Sequence, residues 1–260
     1  MHGIPTLTDE LAQRINRIGA EIAVSQYGNS DNVARFGGAI ALKAGHKNGV
    51  YCFSGEDLCY LDEILAFFRT DAINPAFYLT SMGFTEELGT ALTNAGFYQS
   101  DFKQTALYGL PSQTVSASAP GVEIERVNGN TLEVFLETVA TGFEWPSEWR
   151  EYAKDGLRQW SATEGFHAYL ARYGGEPAGG GVLFVCDGVG FPCHGAVIPR
   201  FRGKGCHTSL LHHRLHAAHE LECHLIIGDA DFGSISFRNQ LRAGLRLAYI
   251  ESIWTKKENS

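Results

Sequence analysis

Six cysteines are scattered through 260 residues without one Cys-x-x-Cys pair, so neither a zinc ribbon nor a disulfide framework is written into the spacing. Cys52, Cys186 and Cys193 sit in apolar, strand-like runs and read as packed thiols. Basic charge is also short: 21 Lys and Arg stand against 29 Asp and Glu, a formal net charge of −8. That balance argues against general nucleic-acid binding while leaving room for a local basic loop. No apolar run reaches the ~18 residues that span a bilayer, so no membrane association is expected. The N-terminus has no basic segment followed by an apolar core, so a cytoplasmic location is the default expectation. Prolines number only eight against 30 glycines, which suggests tight turns rather than disorder. The composition, 44% hydrophobic and 19% charged, is that of an ordinary globular protein.

The chain also lacks His-Glu-x-x-His. His212, His216 and His219 recur at helical spacing, with Cys223 and His224 close in sequence, so a metal site can be drawn. A solvated or interface helix face explains them more simply, and no metal is expected.

Periodicity divides the chain into two halves. Leu7 to Gln26 carries Leu11, Ile15, Ile18 and Ile22 on one helical face, with Thr8 able to cap. Phe36 to Leu42 and Gly49 to Phe53 read as strands joined by a Gly/Lys/Asn turn, Asp57 to Arg69 as a helix, and Ala76 to Thr80 as a short strand. Glu86 to Asn94 then reads as a helix and Phe97 to Leu110 as a long strand. Two prolines and repeated Ser/Ala mark 111–121 as a linker. Strand Val122 to Val127, helices Thr131 to Thr141 and Pro146 to Trp160, and strands His167 to Tyr173 and Gly179 to Cys186 follow.

The chemistry concentrates after the next strand, Val189 to Ile198. There Pro199-Arg200-Phe201-Arg202-Gly203-Lys204-Gly205-Cys206-His207 leads into a helix, Thr208 to Glu220, with Leu210, Leu211, Leu215 and Ala218 at helical spacing. Glycines allow close backbone approach, and a helix start offers unpaired N–H groups with partial positive charge. The combination is shaped for a phosphate or pyrophosphate. It is not a P-loop, which needs Gly-x-x-x-x-Gly-Lys-Ser/Thr, nor a Rossmann turn, which needs a third glycine and a distal ribose-binding acid.

Arg202-Gly203-Lys204-Gly205 after Val197-Ile198-Pro199 resembles motif A of the GCN5-related N-acetyltransferases (GNAT), which reads Arg/Gln-x-x-Gly-x-Gly/Ala. Arg202 and Gly205 match, but His207 stands at the sixth position, where Gly or Ala is usual. A second frame, Arg200-x-x-Gly203-x-Gly205, fits formally but sits badly against the Val-x-Pro spacing. Downstream, Leu225 to Ile227 is a short strand. Asp231-Phe232-Gly233-Ser234-Ile235-Ser236-Phe237-Arg238-Asn239 and Arg242-Ala243-Gly244-Leu245 then resemble the family's C-terminal signature, with Phe232 in place of Pro and Leu245 in place of Phe. The echo of Ala95-Gly96-Phe97 by Ala243-Gly244-Leu245 suggests the tandem arrangement some members have.

The resemblance implies an α/β (α+β) chain of two tandem GNAT-like domains, each a mixed, mostly antiparallel sheet flanked by helices. Residues 1–110 would form a degenerate N-terminal domain and 122–260 the catalytic one. It further implies an acyltransferase that uses acetyl-coenzyme A as co-substrate and a primary amine of a small molecule or peptide as acceptor, with a homodimer left open. The first half has Ser54-Gly55-Glu56-Asp57 at the matching junction, where carboxylates would repel a pyrophosphate, so one coenzyme per chain is expected. The cofactor would contact Ala196, Val197, Ile198, Arg202, Gly203, Lys204, Gly205, Cys206 and His207, with Ser234, Ser236 or Asn239 near the pantetheine amides.

The family's usual acid, a Tyr before the Gly-Phe signature, is replaced by Gln240, leaving Tyr249 as the nearest substitute or as a packed aromatic. Glu144, before Trp145-Pro146, is either the base or a helix-capping carboxylate. His194 and Cys193 are candidates by strand position only. The missing Tyr keeps a second class open, a coenzyme A-binding sensor without turnover. Longer acyl groups stay open as well. A nucleotide-binding protein is disfavoured by the absent loop patterns.

Overall fold

The computed structural model describes residues 4–44, 48–71, 73–114 and 117–256. The chain condenses into two compact units that are not contiguous in sequence. The N-terminal unit holds Pro5–Leu107, Asp229–Ser234 and the chain from Leu247 on; the C-terminal unit holds Tyr108–Gly228 and Ile235–Arg246. An expected division at 111–121 leaves the last strand with the second half, whereas that strand lies in the N-terminal unit.

Helix α1 (Asp9–Tyr27) opens the N-terminal unit, its first turn closed by Thr8 Oγ1 accepting from the Leu11 N–H at 3.2 Å. The single strand expected from Phe36 to Leu42 is instead a hairpin, β1 (Val33–Phe36) and β2 (Ala39–Leu42). Gly37, at φ +58°, and Gly38 form its two-residue turn, a geometry that favours glycine. The Gly/Lys/Asn turn expected next includes 45–47, which lie outside the described residues. Then come β3 (Gly49–Tyr51), a 3-10 turn (Gly55–Tyr60), α2 (Leu61–Arg69), β4 (Ala76–Thr80), α3 (Glu86–Asn94) and β5 (Phe97–Gly109). Within this unit β1–β2–β3 are antiparallel, β3 and β4 parallel, and β4 pairs antiparallel with the last strand, β11 (Arg246–Lys256). Alternation sends Val50, Phe77, Leu79 and Trp254 into one core with Ile64 and Phe68 of α2 and Leu88 and Leu92 of α3.

The C-terminal unit repeats that pairing. Strands β6 (Val122–Arg126), β7 (Phe166–Tyr173), β8 (Glu176–Cys186) and β9 (Val189–Val197) form an antiparallel series, and β9 lies parallel to β10 (Leu225–Asp231). Helices α4 (Leu132–Gly142) and α5 (Ser147–Trp160) precede β7. Between β9 and β10 run a 3-10 turn (Pro199–Phe201) and α6 (Cys206–Glu220), and α7 (Ile235–Arg242) follows. A Cβ on Gly180 would meet Phe135 and Val139 of α4, while one on Gly181 would meet Arg214 of α6. Successive residues of a strand face opposite sides, so α4 and α6 cover the two faces of β8. The apolar stripe of α6, Leu210, Leu211 and Leu215, is buried, worth about 2 kcal/mol per side chain.

Candidate active site

Strands β9 and β10 pair at only two positions, Val189 with Leu225 and Gly190 with Ile226. Beyond them β9 runs on to Val197 and β10 to Asp231. The parallel pairing of the two strands therefore ends at Gly190, well before the end of β9.

At the end of β9 the chain turns into α6 through two left-handed glycines, Gly203 at φ +79° and Gly205 at φ +84°. Gly205 is the N-cap, without any side-chain cap. Among the described residues no hydrogen bond engages the N–H of Gly203, Gly205, His207 or Thr208; the first backbone bond of the helix runs from Ser209 N to Gly205 O at 2.9 Å. Four N–H donors without a hydrogen bond, at the positive end of a helix, fit a phosphate group. The first turn of α6 holds no acid, unlike those of α1 through α5.

The cations of the loop are placed differently from one another. Arg200 pairs with Glu176 at 2.9 Å. Lys204 lies over the Tyr173 ring at 5.6 Å. Arg202 reaches back to Glu144 at 2.8 Å and to the Gly142 carbonyl at 3.0 Å. The structure thus joins the motif's first residue to the expected base, on the α4–α5 loop where Glu144 itself adopts φ +55°. Beside it Phe143 stacks on Trp145 at 5.7 Å and meets His194 edge-on at 6.4 Å.

A bulge lies under the loop. The β8–β9 register shifts between Gly180 and Val182, and His194 adopts φ +48°. Arg214 fills the gap: fully buried, it donates to the carbonyls of Leu210 at 3.1 Å, Val182 at 3.0 Å and Cys193 at 2.8 Å. Those bonds go to neutral oxygens, and burial lowers the guanidinium to about 10. A Cβ on Gly181 would stand 2.8 Å from its Cζ, and one on Gly195 3.1 Å from its Nη2. Both glycines therefore make room for the cation. The sequence reading missed Arg214; the available signal was a lone Arg within the Leu210–Ala218 apolar stripe.

Of the other expected site residues, Ala196, Val197 and Ile198 end β9, and Cys206 begins α6 with a buried thiol. Asn239, on α7, lies 3.1 Å from His207. Ser236 accepts from Gln240 at 3.4 Å, and Gln240 is packed so closely on Gly228 that a Cβ there would come within 2.2 Å of it. Ser234 belongs to the N-terminal unit, closing a turn onto Asp231. Tyr249 does too: it is 5% exposed on β11, and burial and the neighbouring Glu251 raise its phenol. Glu251 itself is pushed up to about 7 by burial and by Asp229. Among the described residues no group of three or more His, Cys, Asp or Glu could hold a metal ion, and no helix is long and apolar enough to cross a membrane.

Comparisons with known proteins bear on this geometry. Residues 135–240 match the family "Acetyltransferase (GNAT) family". No curated protein matches the chain. Among solved structures, a GCN5-related N-acetyltransferase from Kribbella flavida superposes with a TM-score of 0.70 at 15% identity, covering 96% of each chain. One from Sphaerobacter thermophilus gives 0.64 at 15% identity, again with 96% of each covered. A tandem GNAT protein from the clavulanic acid biosynthesis pathway gives 0.61 at 15% identity, with 97% of each covered. At such identities the structures speak for the fold, which this chain shares along nearly its whole length. The matched stretch contains β9, the glycine loop and α6, so this part of the C-terminal unit is similar to the GNAT acetyltransferases.

Proposed function

We propose that the protein transfers an acetyl group from acetyl-coenzyme A to a primary amine of a small molecule or peptide. The observation that carries this reading is the uncapped start of α6: four free N–H donors, two left-handed glycines and no acid in the first turn, inside the GNAT match. Space agrees at Gly203, where a Cβ would meet nothing within 4 Å. At Gly205 a Cβ would stand 2.4 Å from that of Ala119, so glycine there also admits the chain before β6.

In this reading Gly203, Gly205, His207 and Thr208 bind the pyrophosphate through backbone N–H groups, with Lys204 adding charge. The backbone of Ala196 and Val197, at the end of β9, serves the pantetheine amides. Acetyl-coenzyme A supplies an activated thioester. An amine attacks only when neutral, so a proton must leave it. Glu144 takes that proton directly or through water, its carboxylate held at the loop by Arg202. The aromatic group of Phe143, Trp145 and His194 borders the same loop.

The test is thiol release from acetyl-coenzyme A against a panel of amines, with longer acyl-coenzymes A in parallel. Release with any amine supports the enzyme. Tight coenzyme binding without release from any of them would replace it by a coenzyme A sensor, a reading favoured by the packed Gln240 at the position of the usual acid.

A further inference from the structure

His207 departs from the motif it sits in, and its surroundings define what the ring can do. Its Nδ1 lies 3.1 Å from Asn239 Nδ2. The orientation of that amide is fixed from its other end, because Asn239 Oδ1 accepts from Arg242 Nη1 at 3.2 Å. Asn239 therefore presents its NH2 to the ring, Nδ1 accepts, and the imidazole proton resides on Nε2. That Nε2 stands 3.5 Å from the point a Cβ on Gly195 would occupy, and Arg214 Nη2 stands 3.1 Å from the same point. Two N–H-bearing side chains of α6 thus converge on the same side of one residue of β9, and glycine there leaves both the room to do so.

The geometry points to His207 as a hydrogen-bond donor to the thioester carbonyl oxygen beside Gly195, with Arg214 supplying positive potential from the same side. This rests on the acetyl-transfer reading. As the amine nitrogen bonds to the carbonyl carbon, the C=O π pair moves onto oxygen, where the Nε2–H meets it. The pair returns as the C–S bond breaks, and the bonding electrons leave on sulfur. The amine's proton goes to Glu144 or water and the sulfur takes one from solvent, so His207 keeps its own proton throughout. Burial and the Arg214 charge lower its pKa to about 4, which suits a neutral donor rather than a proton shuttle. The motif's usual Gly or Ala has no side chain that could reach this point.

The experiment combines His207→Ala and His207→Gln with the tautomer of the unmodified protein read by ¹⁵N NMR. The expected results are an Nε2–H tautomer and a kcat lower by roughly 10²-fold in the Ala variant, the scale of one lost oxyanion donor. Acetyl-coenzyme A affinity by calorimetry should stay within a few-fold, and the Gln amide should restore part of kcat. An Nδ1–H tautomer overturns the inference, as does full turnover in the Ala variant. So does faster turnover with tighter coenzyme binding, which would mark the ring as an obstruction. Should the Ala variant not fold, the tautomer and the Gln variant decide. A wild-type protein that releases no thiol sinks the acetyl-transfer reading and this inference with it; wild-type release that survives in the variants sinks only this one.

Discussion

The two units contain the same junction built two ways. In each, a strand with a parallel neighbour, β3 or β9, runs into helical structure through a short turn. After β3 the turn answers its own donors. Asp57, 4% exposed, accepts from Gly38 N at 2.7 Å, Ser54 N at 3.0 Å and Ser54 Oγ at 2.9 Å, completing a capping box. After β9 the donors are left unanswered and the first turn of the helix holds no acid. A self-capped junction is stable and closed to anions. An open one forgoes that stability and can take a phosphate. One fold thus supplies a brace and a binding loop, and the difference lies in a few side chains.

The sharpest way to break the contrast is to give the open junction the closed one's charge. Thr208 is exposed in the first turn of α6. Thr208→Asp should stabilise the helix slightly, since a carboxylate there meets the positive end of the dipole. It should also weaken acetyl-coenzyme A binding by on the order of 10²-fold, the repulsion of near charges at a protein surface. Calorimetry with a melting curve reads both. Gly205→Asp is the poorer probe, because φ +84° and the Ala119 contact would strain the backbone as well. Wild-type affinity in the Thr208 variant would move the phosphate elsewhere. The same titration should give one coenzyme per chain; two would mean that the Ser54–Asp57 junction binds despite its carboxylates.

The converse substitution, Asp57→Ala, removes three accepted bonds at a buried site. Leaving those donors unpaired should cost about 2–3 kcal/mol of stability with coenzyme affinity unchanged. Urea unfolding followed by calorimetry checks it, and a loss of affinity would show that the two junctions are not independent.

What was legible in the sequence follows from range. The phosphate-shaped loop, the capping acids of Ser54–Asp57 and most strands depend on residues within a turn or two of each other, and the chain displays them directly. The hairpin at Gly37-Gly38 was read as one strand because both flanks are apolar and the turn is only two residues long. The placement of β11 beside β4 could not be read, since pairing across 170 residues leaves no local period. Arg214 and the Glu144–Arg202 pair were hidden for the same reason: each depends on partners from other elements. Arg214 also needs two glycines, Gly181 and Gly195, whose purpose is apparent only when β8 and β9 are laid side by side.

The units also differ in how pH acts on them. In the N-terminal unit Glu251 is raised to about 7, so its contribution is full below the unfolded carboxyl value of about 4.3 and is lost as pH rises towards 7. In the C-terminal unit His207 is lowered to about 4; its contribution is full above about 6.5 and is lost as pH falls towards 4. Glu251→Gln should therefore stabilise the protein at pH 8 by about 2–3 kcal/mol relative to pH 5, and His207→Gln should flatten the acid side instead. Denaturation at the two pH values measures each. Equal effects of Glu251→Gln at pH 5 and pH 8 would show that the carboxyl titrates normally.

The smallest effect separates two roles for Glu144. Its bond to Arg202 is exposed on both sides, so Glu144→Gln should change stability by less than about 1 kcal/mol. If the carboxylate takes the amine's proton, the loss in turnover should be about 10-fold near neutral pH, where solvent supplies the remainder of the assistance. Raising the pH should restore much of it, because a larger share of the amine is then already neutral. If the carboxylate only anchors Arg202, the loss should not vary with pH, and the KM for acetyl-coenzyme A should rise as Arg202 is freed. The expected outcome is the pH-dependent loss with an unchanged KM. A flat loss with a raised KM would make Glu144 a positioning residue of the open junction and leave the amine's proton to water.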